Sequence, residues 1–193
     1  MIATMDRALR VEALIAEAIR VHELTRATAP APVVATVEAL LTAFGRNGKA
    51  LIFGNGGSAA DALHFAAELV GRFERDRRGV AALALPADTS ILTSVANDYG
   101  YETVFARQVE ALGLPGDVAI AISTSGESAN VLRALVAARA GGLTTVGFTG
   151  RDGGAVGRSV DIHVNVPHAS AARVQEVHRT LIHAVCELVE REL

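Results

Sequence analysis

The apolar residues of this chain alternate between helical spacing and short continuous runs. Over residues 4–28 they recur every three or four positions, which predicts a helix that ends before Pro30 and Pro32. A second helix is predicted from about Val33 to Gly45. Five short apolar runs then predict strands: Ala50–Phe53, Ala81–Leu85, Val118–Ile122, Thr145–Phe148 and Ile162–Val166.

Helical spacing returns between these runs. It predicts helices over about 58–72, 88–97, 101–112, 127–140 and 172–192. Because strand and helix alternate, a parallel sheet with right-handed crossovers is the simplest topology. We therefore expect an α/β three-layer sandwich, in which a parallel sheet of these five strands is flanked by helices. It should form one domain over residues 1–193, with the helix of residues 4–28 packed outside the sheet layers.

Composition supports a buried sheet and excludes several functional classes. Half of the residues are hydrophobic and only 4% are aromatic, which suits parallel strands covered by helices. The net charge is −3, and the basic cluster of residues 72–78 is interrupted by acidic side chains, so we expect no nucleic-acid partner. Cys186 is the single cysteine, and no apolar run reaches the roughly 18 residues that span a bilayer. The chain starts with an amphipathic segment rather than a signal core, and we expect a soluble, cytoplasmic protein.

The turn after the first predicted strand is rich in glycine. It reads Gly54-Asn55-Gly56-Gly57-Ser58-Ala59-Ala60-Asp61. Glycines let the backbone approach a ligand closely, and the free N–H groups at a helix start favour an anion. The spacing fits neither a dinucleotide fingerprint nor a Walker loop. A tight strand-to-helix turn with Ser58 as its N-cap is an equal alternative at this point.

The turn after the third strand is rich in hydroxyl groups. It reads Ser123-Thr124-Ser125-Gly126-Glu127-Ser128 and leads directly into a predicted helix. Neutral donors at a helix N-terminus suit a single phosphate, and the absence of Lys and Arg argues against a nucleotide triphosphate. A helix cap without a ligand is the alternative. If the two turns lie on neighbouring strands, one can hold a phosphate while the other contacts a sugar.

Five segments together resemble the phosphoheptose isomerases of the phosphosugar-binding (SIS) class. They are the two turns just described and Asn97-Asp98-Tyr99-Gly100-Tyr101, Gly147-Phe148-Thr149-Gly150 and Gln175-Glu176-Val177-His178. The similarity runs from about residue 33 to the end of the chain. It implies the SIS fold, which is a five-stranded parallel sheet in flavodoxin-like order flanked by helices, and a homotetramer with sites near subunit contacts. It also implies conversion of D-sedoheptulose 7-phosphate into D-glycero-D-manno-heptose 7-phosphate, which would supply lipopolysaccharide or another glycoconjugate.

The resemblance also implies roles for individual residues. Glu68 would be the base and His183 the acid that move a proton between adjacent carbons through an enediol. A zinc ion would be held by His64, Glu68, Gln175 and His183. Substrate contacts would come from Asn55, Gly56, Gly57, Glu68, Asn97, Asp98, Ser123, Thr124, Ser125, Ser128 and Gln175, with the hydroxyls of residues 123–128 on the phosphate.

Spacing along the helices limits the metal hypothesis. His64 and Glu68 are four residues apart and share one helix face, although such pairs are common on helix surfaces. Zinc accepts imidazole and carboxylate ligands. Gln175 and His183 are eight residues apart, about 12 Å along a helix. They can reach one metal only if Gln175 lies at the helix start and both side chains reach inward; otherwise they serve different sites in an oligomer.

Two other functions fit the same fold. One is a non-catalytic SIS-fold module that binds a protein such as a replication initiator. The other is an isomerase of another sugar phosphate. Because His64, Glu68, Gln175 and His183 occur together, the sequence favours an enzyme over a binding module.

Overall fold

The sheet has the predicted order. The structure is a computed structural model that describes residues 2–193, with side chains from residue 6 onward. Five parallel strands are arranged β2-β1-β3-β4-β5, which is the flavodoxin-like order. Their bounds are β1 Ala50–Gly54, β2 Ala82–Ala84, β3 Val118–Ser123, β4 Thr144–Gly150 and β5 Ile162–Val166. All five predicted strands are confirmed.

The helices differ from prediction at three points. They are α1 Ile2–Arg26, α2 Pro30–Gly45, α3 Gly57–Val70, α4 Thr89–Tyr99, α5 Ala106–Leu112, α6 Ala129–Ala140, α7 Gly154–Arg158 and α8 Ala171–Glu192. Pro30 begins α2, because the first turn of a helix does not need its missing N–H. The helix predicted over 101–112 is a 3₁₀ turn, Tyr101–Thr103, followed by α5. The short helix α7 was not predicted.

Two apolar cores lie on the two faces of the sheet. Since side chains alternate along a strand, Ile52 and Ile120 face one core while Leu51 and Ala119 face the other. Helices α2, α3 and α8 cover the first core, and α5 and α6 cover the second. Cys186 is buried in the first core, and burial raises the pKa of its thiol to about 12. The thiol is therefore a core group and stays protonated.

Helix α1 packs against α8 and β5. Its Val21 is buried with Val166, Val174 and Val177. Its other side leaves large apolar side chains more than half exposed, including Leu9, Ile15 and Ile19. In the described part of the chain no single helix is long and apolar enough to cross a membrane, and only the bent pair of residues 6–26 and 30–45 meets the criteria in combination.

The end of β1 has no room for a side chain. A Cβ added at Gly54 would lie 2.6 Å from the Ile122 carbonyl oxygen and 2.9 Å from Ser58 Cβ. We expect Gly54→Ala to lower the free energy of unfolding by about 1–3 kcal/mol, because the strand end and α3 must separate. Urea denaturation measures this. Gly45→Ala is the matched control, since its added Cβ meets nothing within 4 Å. Equal stability of the two variants would contradict the close packing at Gly54.

Candidate active site

The two predicted turns lie side by side at the carboxyl edge of the sheet. Gly54 and Ile122 are paired residues at the ends of β1 and β3. Beyond them, Asn55 Nδ2 donates to Asn130 Oδ1 at 2.8 Å and Asn130 Nδ2 donates to Asn55 Oδ1 at 2.9 Å. The Tyr101 hydroxyl also donates to Asn55 Oδ1, at 3.1 Å. Both acceptor positions of the Asn55 amide oxygen are filled, so this side chain can offer a ligand only an N–H.

The hydroxyl-rich turn converges on the start of α6. Ser123 Oγ lies 3.2 Å from Ser128 Oγ and 3.5 Å from Ser125 Oγ. Ser123 is buried, while Thr124 and Ser125 are partly exposed. Ser128 occupies the N-cap position of α6 but makes no side-chain cap hydrogen bond. The first N–H groups of α6 are therefore not capped by Ser128 and remain available to an anion, while the Ser128 hydroxyl contacts Ser123.

Residues outside the predicted site brace this turn. The Val156 N–H donates to the Gly126 carbonyl oxygen at 2.9 Å, and the Ala155 N–H donates to Glu127 Oε1 at the same distance. Both donors belong to α7. The unpredicted helix thus fixes the loop that presents the serine hydroxyls.

The glycine turn meets the start of α8. Gly56, with a φ of +56°, is the N-cap of α3, so the interpretation of Ser58 as N-cap is wrong. Ser58 instead lies buried in the first turn. A Cβ at Gly57 would collide with the amide of Gln175, which sits in the second turn of α8. Glycine at position 57 is what allows Gln175 to approach the turn.

Glu68, His64 and His183 come together further along α3 and α8. His64 Nε2 lies 2.8 Å from His183 Nε2 and 3.5 Å from Glu68 Oε1. Burial lowers the pKa of His64, and the Arg179 cation lowers it further, against the opposing effect of Glu68. His64 is therefore neutral near pH 7. A neutral imidazole can accept a hydrogen bond from the Nε2–H of His183.

Asn97 and Asp98 lie on the exposed helix α4. Asn97 Nδ2 donates to Asp98 Oδ1 at 2.8 Å, and no residue of α4 is fully buried. Within the described chain neither side chain is hydrogen-bonded to a predicted site residue outside α4. Their assignment to the substrate stays a prediction, as do the other substrate and metal assignments.

The arrangement of the site partly fits a metal. Two imidazoles and a carboxylate supply the donors that zinc prefers. Nitrogens that share a tetrahedral zinc are about 3.3 Å apart, whereas those of His64 and His183 are at hydrogen-bond distance. In the range 2–193, no three His, Cys, Asp or Glu side chains are already arranged to hold a metal ion. Metal binding would require the two partly exposed rings to move apart slightly.

The fold and the site together are those of an SIS domain. The strands have the order of that fold, two ligand-type turns lie side by side at the ends of β1 and β3, and hydroxyl groups line the start of α6. The family model for the SIS domain matches residues 14–150. The phosphoheptose isomerase of Roseiflexus sp. strain RS-1 is 60% identical over 161 residues, which cover 83% of this chain and 82% of that protein. The phosphoheptose isomerase of Bordetella avium is 48% identical over 189 residues, which cover 96% of both.

Solved structures support the same family assignment. The phosphoheptose isomerase of Neisseria gonorrhoeae superposes with a TM-score of 0.90 at 46% identity, covering 94% of this chain and 97% of that one. The phosphoheptose isomerase of Francisella tularensis gives a TM-score of 0.91 at 32% identity with the same coverage. The chain belongs to the phosphoheptose isomerase family, whose members are aldose–ketose isomerases.

Proposed function

We propose that the protein converts D-sedoheptulose 7-phosphate into D-glycero-D-manno-heptose 7-phosphate. The observation that carries this proposal is the convergence of Glu68 with His64 and His183 on one face of the α3–α8 pair. A non-catalytic binding module has no need of this arrangement. A cytoplasmic enzyme of this kind would supply heptose for lipopolysaccharide or another glycoconjugate.

The reaction needs one base and one acid. The Glu68 carboxylate takes a proton from C1 of the ketose, and the resulting enediol receives a proton at C2. His183 moves a proton at the sugar oxygens, with neutral His64 as its hydrogen-bond partner. The serine hydroxyls and the N-terminus of α6 bind the phosphate as hydrogen-bond donors. No covalent nucleophile is required.

We also propose that zinc binds at this cluster. His64, Glu68 and His183 would hold it, with Gln175 as the fourth predicted ligand. When bound, zinc supplies a Lewis acid that stabilises negative charge on the sugar oxygens. Gln175 lies beside Gly57, about 12 Å along α8 from His183, so its part in the same metal site requires movement or a second subunit.

We further propose that the active site is shared between copies of the chain. Helix α3 carries Glu68 about 16 Å away from Gly57, toward the opposite edge of the sheet. An extended heptose phosphate is only about 10 Å long, by ordinary C–C bond lengths. Because the phosphate turn lies beside the glycine turn at the same edge of the sheet, the phosphate turn of one copy should face Glu68 and His183 of another. The exposed apolar side of α1 offers a surface for such an assembly, and the family resemblance favours a tetramer.

A panel of ketose phosphates tests the proposed substrate. We expect sedoheptulose 7-phosphate to be consumed, unphosphorylated sedoheptulose to be a much poorer substrate, and a zinc chelator to reduce turnover. Restoration by added zinc, together with metal analysis of the purified protein, tests the metal directly. Preference for a shorter ketose phosphate would favour the isomerase of another sugar. No turnover of any sugar phosphate by the metal-loaded oligomer would contradict the enzyme proposal.

A further inference from the structure

Helices α3 and α8 contact each other at three levels, about one helical turn apart. The levels are Gly57 with Gln175, Asp61 with Arg179, and His64 with His183. The three α8 residues are spaced by four, so they share one helix face. The upper level holds a predicted substrate contact and the lower level the predicted acid. The middle level is an ion pair to which the proposed reaction assigns no role.

The ion pair is largely buried on its acidic side. Arg179 donates to Asp61 Oδ1 from Nη2 at 2.6 Å and from Nε at 3.1 Å. The Asp61 side chain is only 4% exposed, and its Oδ2 has no hydrogen-bond partner among the described residues. A buried carboxylate is costly unless a cation accompanies it. Arg179 supplies that cation and so ties the two helices together.

The location of Arg179 links the pair to the site. Its side chain is 39% exposed and lines a cavity of about 470 Å³ together with Gly57 and Gln175. The contact above joins Gly57 to an amide and the contact below joins two imidazole rings, so Asp61 and Arg179 form the one carboxylate–guanidinium pair among the three levels. Loss of the charge at the middle level would leave Asp61 uncompensated and release α8 from α3 there. Gln175 and His183 would then both lose their placement.

We propose that Arg179 is a positioning residue for the isomerisation. By pairing with Asp61 it fixes the register of α8 on α3, which sets Gln175 against the glycine turn and His183 against His64. The inference rests on the proposed function of Gln175 and His183. It does not depend on Arg179 touching the sugar phosphate.

Steady-state kinetics of Arg179 variants test this role in the assembled protein. We expect Arg179→Met to lower kcat at least about tenfold, since displacement of a reacting group by about 1 Å can cost a hundredfold. KM should change less than kcat, because the serine hydroxyls proposed to hold the phosphate lie outside the α3–α8 contact and only the Gln175 contact lies within it. Arg179→Lys restores the charge and should recover most of kcat. Arg191→Met is the matched control, because Arg191 lies on α8 but pairs within that helix, with exposed Glu187.

Two outcomes with the single variants would overturn the inference. One is a kcat of Arg179→Met within twofold of wild type, whatever its thermal stability, since the pair would then be only structural. The other is failure of Arg179→Lys to recover kcat although it is folded. If Arg179→Met does not fold, the double variant Asp61→Asn/Arg179→Met removes the uncompensated charge and must show the same tenfold loss; wild-type kcat there would also overturn it. An inactive wild-type protein would instead refute the proposed function.

Discussion

Glu68→Gln should reduce kcat by about a thousandfold while the protein stays folded. The substitution keeps the size and hydrogen-bonding shape of the side chain but removes the carboxylate that accepts the proton. Glu68 is partly exposed, at 21% of its side chain, so loss of its charge does not disturb the buried core. Coupled assay of heptose phosphate formation measures kcat, and thermal unfolding checks the fold.

Glu187→Gln is the control for this prediction. Glu187 lies on α8 and forms an exposed ion pair with Arg191, so its replacement should leave kcat near wild type. Glu68→Gln with wild-type turnover would show that another group is the base. Loss of the folded state in Glu68→Gln would instead assign the carboxylate a structural role.

Two variants that are inactive at low substrate concentration should restore activity there when they are mixed as subunits. The first is Glu68→Gln. The second is Ser123→Ala/Ser125→Ala, which removes two hydroxyls of the phosphate turn and should raise KM strongly, since each hydrogen bond to a charged group contributes about 1.5–3 kcal/mol. In a mixed oligomer, some sites combine an intact phosphate turn from one copy with an intact Glu68 from another. After unfolding and joint refolding we expect about a quarter of wild-type activity, as random pairing in a symmetric oligomer gives.

The same variants provide their own controls. Each one refolded alone should stay inactive, and mixing without subunit exchange should restore nothing. Absence of recovery in a demonstrated mixed oligomer would place both halves of the site in one chain. That result would contradict the shared site, which is inferred from the separation of about 16 Å between Gly57 and Glu68 along α3.

Local sequence patterns predicted most of the fold. The five strands are apolar runs bounded by turns, and their parallel pairing follows from the alternation of strand and helix. Their order was expected from the family resemblance and not from the alternation itself. The helix start at Pro30 and the short helix α7 were not predicted, because neither has a distinctive local sequence signal. Pro30 is compatible with a helix start as well as a stop, and α7 is a five-residue helix whose Gly154 and Gly157 carry no helical signal.

The site residues differ in the same way, because some lie in local sequence motifs and others are brought together only by the fold. The glycine and serine turns are contiguous in sequence, so both could be proposed as ligand-binding turns without a structure. Asn130, Tyr101 and Arg179 were missed because each acts on a residue far away in the chain: Asn55 for the first two and Asp61 for the third. Asn130 follows the serine turn directly, and Arg179 lies midway between Gln175 and His183 at helical spacing. These positions in the sequence were the only indication that Asn130 and Arg179 lie near the site.

A crystal structure of the oligomer with a bound sugar phosphate tests the central claim most directly. The measured quantity is the distance from the Glu68 carboxylate and His183 Nε2 to C1 and C2 of a sugar whose phosphate lies among Ser123, Ser125 and Ser128. We predict separations of about 3–3.5 Å, contributed by a neighbouring copy of the chain. Phosphate bound in the serine turn with Glu68 and His183 remote from those carbons in every copy would contradict the account.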